Sequence, residues 1–239
     1  MVAVSRAGQA APASPAAFGH VGDWIFDLDN TLYPAGCRLF DQVDVLIGRY
    51  IAELLSIDAM EARKIQKDYF REHGTTLRGL MSVHGVDPHE FLDYVHAIDR
   101  SPVAANPALA DALDRLPGRK FIFTNGSVAH AEAVLDRLGA AGRFDDIFDI
   151  VAADYEPKPR MAPYRALVDR NGIVASRAAM IDDLPVNLAP AAELGMTTVL
   201  VRTDSDWAQH AADGDYVHHV IDDLARWLVD LADGLTPAR

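Results

Sequence analysis

Four short apolar runs with the composition of buried strands constrain the fold more than any other feature of this sequence. They are Trp24–Phe26, Lys120–Phe123, Ala178–Ile181 and Thr197–Val201, with a weaker fifth run at Ile147–Ala152. Helical patterns lie between the later runs, at Val128–Leu138, Pro163–Asn171 and Val186–Leu194. β-branched and aromatic runs of this length are typical of parallel strands covered on both faces. The alternation of strand and helix therefore predicts an α/β fold with a doubly wound parallel sheet.

The stretch between the first and second runs breaks this rhythm, because residues 38–101 carry only helical signals. Apolar residues recur at helical spacing at Phe40, Val43, Ile47, Tyr50, Ile51 and Leu54. Asp58 and Asp87 are each followed three residues later by Glu, which is the spacing of a capping box. A crossover between parallel strands needs only about a dozen residues. The surplus predicts a separate helical subdomain, which we place at residues 36–102.

The rest of the chain divides into a tail and a core. Residues 1–19 are rich in Ala, Pro and Ser, and we expect them to form a disordered tail. Residues 20–35 and 103–239 are predicted to form the α/β core. Its last element is an amphipathic helix at residues 222–233, with Trp227 among its buried residues.

Composition limits the partners and the compartment. The 239 residues carry a formal net charge of −13, which argues against bulk electrostatic binding to nucleic acid or anionic membranes. The single cysteine, Cys37, excludes an intramolecular disulfide and suits a reducing compartment. No run approaches the roughly 20 apolar residues of a membrane span, and no signal-peptide pattern is present. We expect a cytoplasmic monomer or homodimer with no nucleic-acid or membrane partner.

Polar residues of distinctive chemistry follow four successive strands. They are Asp27 with Asp29, the turn Thr124-Asn125-Gly126, Lys158 between two prolines, and Asp182 with Asp183. Open α/β sheets bind ligands at the carboxyl ends of their strands. Neighbouring carboxylates there invite a divalent cation such as Mg²⁺. A turn with free backbone amides suits an oxyanion, and a fixed lysine suits a phosphate.

Each feature also has a purely structural interpretation. The Thr-Asn-Gly segment could be an ordinary turn, Lys158 could be an exposed loop residue, and Asp183 could cap the following helix. None of these explains why all four strand ends carry such groups in this order. The joint pattern therefore favours one composite site.

These residues resemble the motifs of the haloacid dehalogenase-like (HAD) superfamily of phosphohydrolases, subfamily IA. Asp27-x-Asp29-x-Thr31 matches the first motif, Thr124 the second, Lys158 the third and Asp182-Asp183 the fourth. The resemblance implies a Rossmann-like core in which the helical insertion is a type 1 cap. The segments FDLDNTLYP, HGTTLRGL, FTNG and IDDLPVNL also resemble the pyrimidine 5′-nucleotidase branch.

The resemblance implies a role for each core residue. Asp27 would attack phosphorus to form an aspartyl-phosphate, and Asp29 would protonate the leaving oxygen and then activate water. That division of labour requires Asp29 to have the higher proton affinity. Thr124 and the amides of Asn125 and Gly126 would hold the phosphoryl oxygens, while Lys158 would bridge nucleophile and phosphate.

The same resemblance implies the ligands of a Mg²⁺ ion. Asp27, the backbone carbonyl of Asp29, and Asp183 would bind it, and Asp182 would act through water. Asn187 lies where many relatives carry a further acid.

Substrate choice is expected to come from the insertion, since the core recognises only phosphate. Thr75, Thr76 and Arg78 are the candidate contacts, although a glycine-flanked helix with Arg78 in solvent is the alternative. Tyr33 could stack on a base or pack the hinge. The histidines, including His130, show no metal-ligand spacing, and no chemistry is predicted for them.

The preferred function is a Mg²⁺-dependent pyrimidine nucleoside 5′-monophosphate phosphatase. Its nearest rival is a phosphatase acting on a sugar phosphate or phosphoglycolate. A dehalogenase is disfavoured because its chemistry needs neither Asp29 nor the metal-binding acids, which are present here. A phosphonatase is disfavoured because it needs a reactive lysine in the cap, and Lys64 and Lys67 both fall in a helix that is predicted to be exposed. A non-catalytic scaffold is disfavoured because every reacting group is present.

Overall fold

The computed structural model describes residues 13–203 and 215–235, and its centre is one parallel sheet. Its six strands are β1 Asp23–Phe26, β2 Arg119–Phe123, β3 Asp146–Phe148, β4 Ala178–Asp182, β5 Thr197–Val201 and β6 His219–Ile221. The strand order is β3-β2-β1-β4-β5-β6, and every neighbouring pair is parallel. The predicted doubly wound α/β fold is confirmed.

The position of β1 decides where a ligand can bind. All four of its residues are buried, and Phe26 pairs in register with Ile122 of β2 on one side and Ile181 of β4 on the other. The chain continues outward to β2 and β3 on the first side and to β5 and β6 on the second. The order therefore reverses between β1 and β4, and such a reversal opens a crevice at the carboxyl ends of the strands.

Nine α-helices lie in the described part of the chain. They are α1 Leu39–Leu55, α2 Ala59–His73, α3 Thr76–His84, α4 Pro88–Val95, α5 Pro107–Arg115, α6 Val128–Leu138, α7 Met161–Asn171, α8 Pro185–Glu193 and α9 Leu224–Leu235. The first four lie between β1 and β2, where the sequence predicts a helical insertion. The Asp58 carboxylate accepts from the Met60 and Glu61 amides, so the first predicted cap is confirmed. Asp87 caps α4 in the same way.

Side chains alternate between the two faces of the sheet, and each face has its own apolar layer. Trp24 and Phe26 join the layer that includes α5, α6 and α9, whereas Ile25 joins the layer of α7 and α8. The insertion forms a third cluster, with Ile51, Leu80 and Phe91 among its buried members. Within residues 13–203 and 215–235, no helix has the length and hydropathy needed to span a bilayer.

The predicted tail is wrong for residues 13–19. Residues Pro15–Phe18 form a short 3₁₀ helix, and Phe18 is completely buried. Its ring lies 5.9 Å from the ring of Trp24 and 5.3 Å from that of Trp227, whose indole N–H donates to the Ala13 carbonyl at 3.0 Å. A large aromatic side chain in a segment of small residues gains by covering the core. Residues 1–12 lie outside the described part.

Two further expectations differ from the structure at the edges of the sheet. The weak fifth run ends as a strand at Phe148 instead of continuing to Ala152, because Asp149 turns the chain by accepting from the Val128 and Ala152 amides. Strand β6 was not predicted. It has three residues and includes His219, so its apolar signal is weak.

The packing of Phe18 gives a stability prediction. Phe18→Ala should lower the free energy of unfolding by about 3–5 kcal/mol, because it removes a buried ring and leaves a cavity. Phe70→Ala is the matched control, since Phe70 is 57% exposed and its loss should change stability by less than about 0.5 kcal/mol. Urea titrations of both variants measure the difference. Equal midpoints would show that residues 13–19 do not hold the core.

Candidate active site

The site lies where the three central strands end. Asp27 directly follows β1, and its amide extends the ladder by donating to the Ile181 carbonyl at 2.9 Å. Thr124 directly follows β2, and Asp182 is the last residue of β4. Because β2, β1 and β4 are neighbours, the sheet itself brings these side chains together, as the sequence predicted.

Lys158 lies at the centre of this group and is buried. Its ammonium donates to Asp27 Oδ1 at 2.7 Å, to Asp182 Oδ2 at 2.8 Å and to the Phe123 carbonyl at 2.9 Å. An ammonium has three N–H donors, so all of them are used. The alternative in which Lys158 is an exposed loop residue is excluded.

The side chain of Asn125 fixes the loop that carries Lys158. Asn125 Oδ1 accepts from the Lys158 amide at 2.9 Å, and Asn125 Nδ2 donates to the Lys158 carbonyl at 3.3 Å. Two reciprocal bonds tie the end of β2 to this loop across 33 residues of sequence. The side chain of Asn125 therefore positions the lysine.

Charge and burial oppose each other at these groups. Burial alone lowers the pKa of the Lys158 ammonium, but Asp182 and Asp27 outweigh that effect and raise the pKa above its ordinary value. Burial raises the pKa of Asp27 to about 7 even though Lys158 lowers it. Thr31 donates to the other oxygen of Asp27 at 3.0 Å, so the candidate nucleophile is held at both oxygens.

Three carboxylates form an oxygen-ligand set. Asp27, Asp182 and Asp183 each offer an oxygen within 4.8 Å of the others. Burial, followed by the charges of Asp27 and Asp182, raises the pKa of Asp183 to about 9. Asp183 Oδ2 is buried and has no hydrogen-bond partner within the described residues. An orphaned carboxylate oxygen beside two more acids fits a hard divalent cation such as Mg²⁺.

The contacts of Asp182 separate its role from that of Asp183. Asp182 Oδ2 accepts from Lys158, and Oδ1 accepts from the Leu184 amide at 2.9 Å. Asn187 Nδ2 donates to both oxygens, at 2.9 and 3.1 Å. Asp182 is saturated with donors, whereas Asp183 has an open oxygen, which favours Asp183 as the direct ligand. Asn187 supplies donors where another acid would repel Asp182.

Asp29 has a different environment from Asp27, and in the metal-free site the two acids differ in proton affinity. Its Oδ1 accepts from the Tyr33 hydroxyl at 2.5 Å and lies 2.9 Å from His130 Nε2. Burial raises the pKa of Asp29, but His130 and the Tyr33 hydroxyl outweigh it, so the pKa lies below its ordinary value. Without a metal, Asp27 therefore has the higher proton affinity. The sequence reasoning required the reverse.

His130 is the functional neighbour that the sequence analysis missed. It is in the first turn of α6 and is 1% exposed. The signal was available, because His130 falls on the apolar stripe that includes Ala131, Val134 and Leu138. A histidine on the buried face of a helix needs a polar partner. The partner of His130 is Asp29.

The turn Thr124-Asn125-Gly126, which is the predicted phosphate cradle, directly follows β2, and its donors differ from those expected. The Gly126 amide donates to Thr124 Oγ1 at 2.9 Å, so it is already used. The Thr124 hydroxyl proton and the Asn125 amide have no acceptor within the described residues. Thr124 and the Asn125 amide therefore remain the candidate phosphate donors. The prediction for the Gly126 amide is wrong in this structure.

The insertion contacts the core at the loop that carries Lys158. The Arg78 guanidinium lies 2.5 Å from Glu156 and donates to the Tyr155 carbonyl at 3.4 Å. A Cβ on Gly74 would lie 3.0 Å from Pro157. Arg78 is therefore paired with the core and is not a free solvent residue. Its contact with substrate stays a prediction.

The two threonines of this segment have structural partners. Thr75 caps α3, because its hydroxyl accepts from the Arg78 amide at 3.2 Å. Thr76 is buried, and its hydroxyl donates to the Gln66 carbonyl at 3.2 Å. That bond gives Thr76 a structural role in place of the predicted substrate contact. Thr75 is half-buried and keeps its hydroxyl at the start of the helix.

Two curated proteins are similar to parts of this chain. The phosphoglycolate phosphatase of Rhodospirillum rubrum is 38% identical over 96 residues, which is 39% of this chain and 39% of that protein. Phosphate metabolism protein 8 of Saccharomyces cerevisiae is 26% identical over 195 residues, which is 74% of this chain and 60% of that protein. The matches span less than two thirds of either relative.

Solved structures share the fold at lower identity. A HAD hydrolase of Bacillus subtilis bound to magnesium superposes with a TM-score of 0.56 at 16% identity, covering 88% of this chain and 98% of that one. A 2-haloacid dehalogenase of Pseudomonas syringae gives 0.55 at 21% identity, covering 89% and 99%. The family model of haloacid dehalogenase-like hydrolases matches residues 25–195. On that match and on this strand-end geometry, the chain belongs to the haloacid dehalogenase-like hydrolase family.

Proposed function

We propose that this chain is a Mg²⁺-dependent phosphomonoesterase that acts through an aspartyl-phosphate and prefers pyrimidine nucleoside 5′-monophosphates. The observation that carries the proposal is the buried Lys158 ammonium between Asp27 and Asp182, beside the open oxygen of Asp183. This arrangement suits a phosphate ester. It supplies an oriented carboxylate nucleophile, a fixed cation and an acidic metal site at one point.

Each half of the proposed reaction uses the same two acids. In the first half, a carboxylate oxygen of Asp27 bonds to phosphorus, the bond from phosphorus to the ester oxygen breaks, and the Asp29 proton goes to the departing alcohol. In the second half, Asp29 takes a proton from water, which bonds to phosphorus and releases inorganic phosphate from Asp27. Both acids return to their starting states.

The low pKa of Asp29 is compatible with its acid role once substrate is bound. A phosphate monoester carries negative charge into the site, and a nearby like charge raises the pKa of a carboxyl group. The Thr124 hydroxyl and the Asn125 amide would hold the phosphoryl oxygens, because neither has another acceptor in the described chain. Lys158 would keep Asp27 in place and offset the charge of the phosphate through its nearby positive charge.

Asp27 and Asp183 would hold the divalent cation, together with the Asp29 carbonyl. A bound Mg²⁺ would offset the charge of the ester and lower the pKa of Asp27, which keeps the nucleophile ionised. The residues present fit such an ion, since their carboxylates are otherwise raised in pKa by mutual repulsion and burial.

The nucleotide preference is proposed from the insertion. Its segment from Gly74 to Arg78 contacts the loop beside Lys158, through Pro157 and Glu156. The insertion therefore borders the region where a leaving group would emerge from the phosphate site. The half-buried Thr75 is the proposed neighbour of the nucleoside. The ring of Tyr33 is 1% exposed and packs in the apolar layer, so it does not stack on a base.

Phosphoglycolate is the second candidate substrate. The observation that favours it is the 38% identity with the Rhodospirillum rubrum phosphoglycolate phosphatase over 96 residues. Glycolate is a small anion, so it would need a cation close to the phosphate site. Arg78 is the candidate in the insertion because it contacts the loop that carries Lys158, but it is already paired with Glu156. That pairing is why we place nucleotides first.

Asp27→Asn tests the nucleophile. An amide oxygen is a far weaker nucleophile, so kcat for p-nitrophenyl phosphate should fall by more than about 10³-fold. Asp41→Asn is the matched control, because Asp41 is in an exposed ion pair with Arg38. The thermal midpoint of the Asp27 variant should not fall, since the change removes a charge from a repelling cluster. An unchanged rate would refute the assignment.

A substrate panel tests the preference. UMP and CMP should give kcat/KM values at least about tenfold above those of AMP, glucose 6-phosphate and phosphoglycolate, because about 1.4 kcal/mol of selective contact gives that ratio. Phosphate release measured with saturating Mg²⁺ gives the values. A maximum at phosphoglycolate would move the assignment to the second candidate.

Mg²⁺ binding should depend on pH. In the metal-free chain, burial raises the pKa of Asp183 to about 9 and that of Asp27 to about 7. Raised carboxyl pKa values mean that the folded state binds more protons, so stability falls as the pH rises through this window. Unfolded aspartates titrate near pH 4, so the metal-free thermal midpoint should drop from about pH 4 to about pH 9, most steeply below about pH 7, where both acids still hold their extra protons.

Mg²⁺ competes with those protons, so its apparent affinity should rise by up to about tenfold per pH unit for each proton released. Calorimetric titrations with Mg²⁺ at several pH values, after EDTA treatment, measure this. Asp183→Asn should abolish most of the pH dependence. A Mg²⁺ affinity that stays constant across the window would contradict the predicted ligand set.

A further inference from the structure

The histidine His130 has no role in the mechanism so far, yet it is buried against the proposed acid. Its Nε2 lies 2.9 Å from Asp29 Oδ1, and its ring is 1% exposed. The Tyr33 hydroxyl donates to the same oxygen at 2.5 Å. Both contacts fall on Oδ1, and Asp29 Oδ2 has no hydrogen-bond partner in the part of the chain that is described.

The contacts assign the tautomer of His130. Asp29 Oδ1 is an acceptor, so Nε2 carries the proton and donates it. Nδ1 of His130 is buried and has no partner within residues 13–203 and 215–235. The Nε2–H donor is therefore paired, and only Nδ1 lacks a partner. The ring thus has a single polar contact, and that contact is with Asp29.

A second histidine fixes the plane of this ring. His96 directly follows α4, and its ring stacks on His130 with centroids 4.3 Å apart and planes 13° apart. His96 Nδ1 lies 3.1 Å from Ser127 Oγ, which in turn accepts from the His130 amide at 3.3 Å. His130 is therefore carried by α6, and its ring packs against His96 of the insertion.

We propose that His130 is a positioning residue for the acid and base Asp29. Together with Tyr33 it occupies Oδ1, which turns Oδ2 toward the ester oxygen and reserves that atom for the proton that moves. The inference rests on the proposed function, since it concerns the acid step of that reaction. His130 neither contacts the substrate nor exchanges the proton.

The test compares esters that differ in their need for an acid. p-Nitrophenolate leaves as a stable anion, whereas the alkoxide of glycerol 2-phosphate must be protonated as it leaves. His130→Leu should lower kcat for glycerol 2-phosphate by about 10- to 100-fold, a part of what general acid catalysis contributes. It should lower kcat for p-nitrophenyl phosphate by less than about threefold and leave KM for both esters nearly unchanged.

Two further variants separate positioning from packing. His130→Gln keeps an N–H donor near the place of Nε2 and should recover most of the loss. In an Asp29→Asn background, His130→Leu should cause no further loss, because a residue that acts only through Asp29 has nothing left to position. His20→Leu is the control, since His20 is exposed and precedes the start of β1, whereas the site lies at the other end of that strand. His130→Asn, whose shorter side chain cannot reach Oδ1, replaces the Leu variant if that variant does not fold.

The outcomes distinguish the two proposals. A wild-type chain that is inactive on both esters with Mg²⁺ would overturn the proposed function, and the inference with it. An active chain whose His130→Leu variant loses equal activity on both esters would overturn the inference alone. A further loss in the Asp29→Asn background would do the same.

Discussion

The bonds from Lys158 to Asp27 and Asp182 are the interaction on which the rest of this site depends. Three buried carboxylates surround one ammonium, so the site carries excess negative charge in a region where charge is poorly solvated. Isolated buried charges are too costly to persist, and such groups are paired, take up protons or bind metal. Lys158 neutralises one equivalent. The remaining acids must take up protons or hold a cation, and the raised pKa values of Asp27 and Asp183 express that need.

Part of this arrangement follows from the sequence, because strand ends are local signals. Asp27, Asp182 and Asp183 each lie at the end of a recognisable strand, and a parallel sheet brings such ends together. Lys158 is positioned by the loop that Asn125 holds. The caps at Asp58 and Asp87 are equally local. The contacts that the sequence did not reveal join distant segments. The Asp29 contact with His130 crosses 101 residues, and no pattern within a segment specifies which partner a buried histidine finds.

Phe18 and Gly126 show two other ways in which sequence reasoning fails. Composition predicts a disordered tail, but the single ring of Phe18 packs beside Trp24 and Trp227 and orders the Ala- and Pro-rich segment around it. The Gly126 amide looked free because turns before helices expose their N–H groups. In the structure the Gly126 amide donates to Thr124 Oγ1 at 2.9 Å. In both cases side-chain packing decides, and packing is settled only when the tertiary structure forms.

The reversed proton affinities of Asp27 and Asp29 show how the two acids acquire different roles. Asp27 is held by a lysine inside a carboxylate cluster, so its charge is tolerated only when a cation shares the cluster. Asp29 lies outside that cluster, and its Oδ1 accepts from the Tyr33 hydroxyl and from His130 Nε2. A metal would act mainly on Asp27 and lower its pKa, while a phosphate ester would act on Asp29 and raise its pKa. In the proposed mechanism, loading the site would exchange the order of the two pKa values, which would leave Asp27 ionised for attack and Asp29 able to hold the proton for the leaving group.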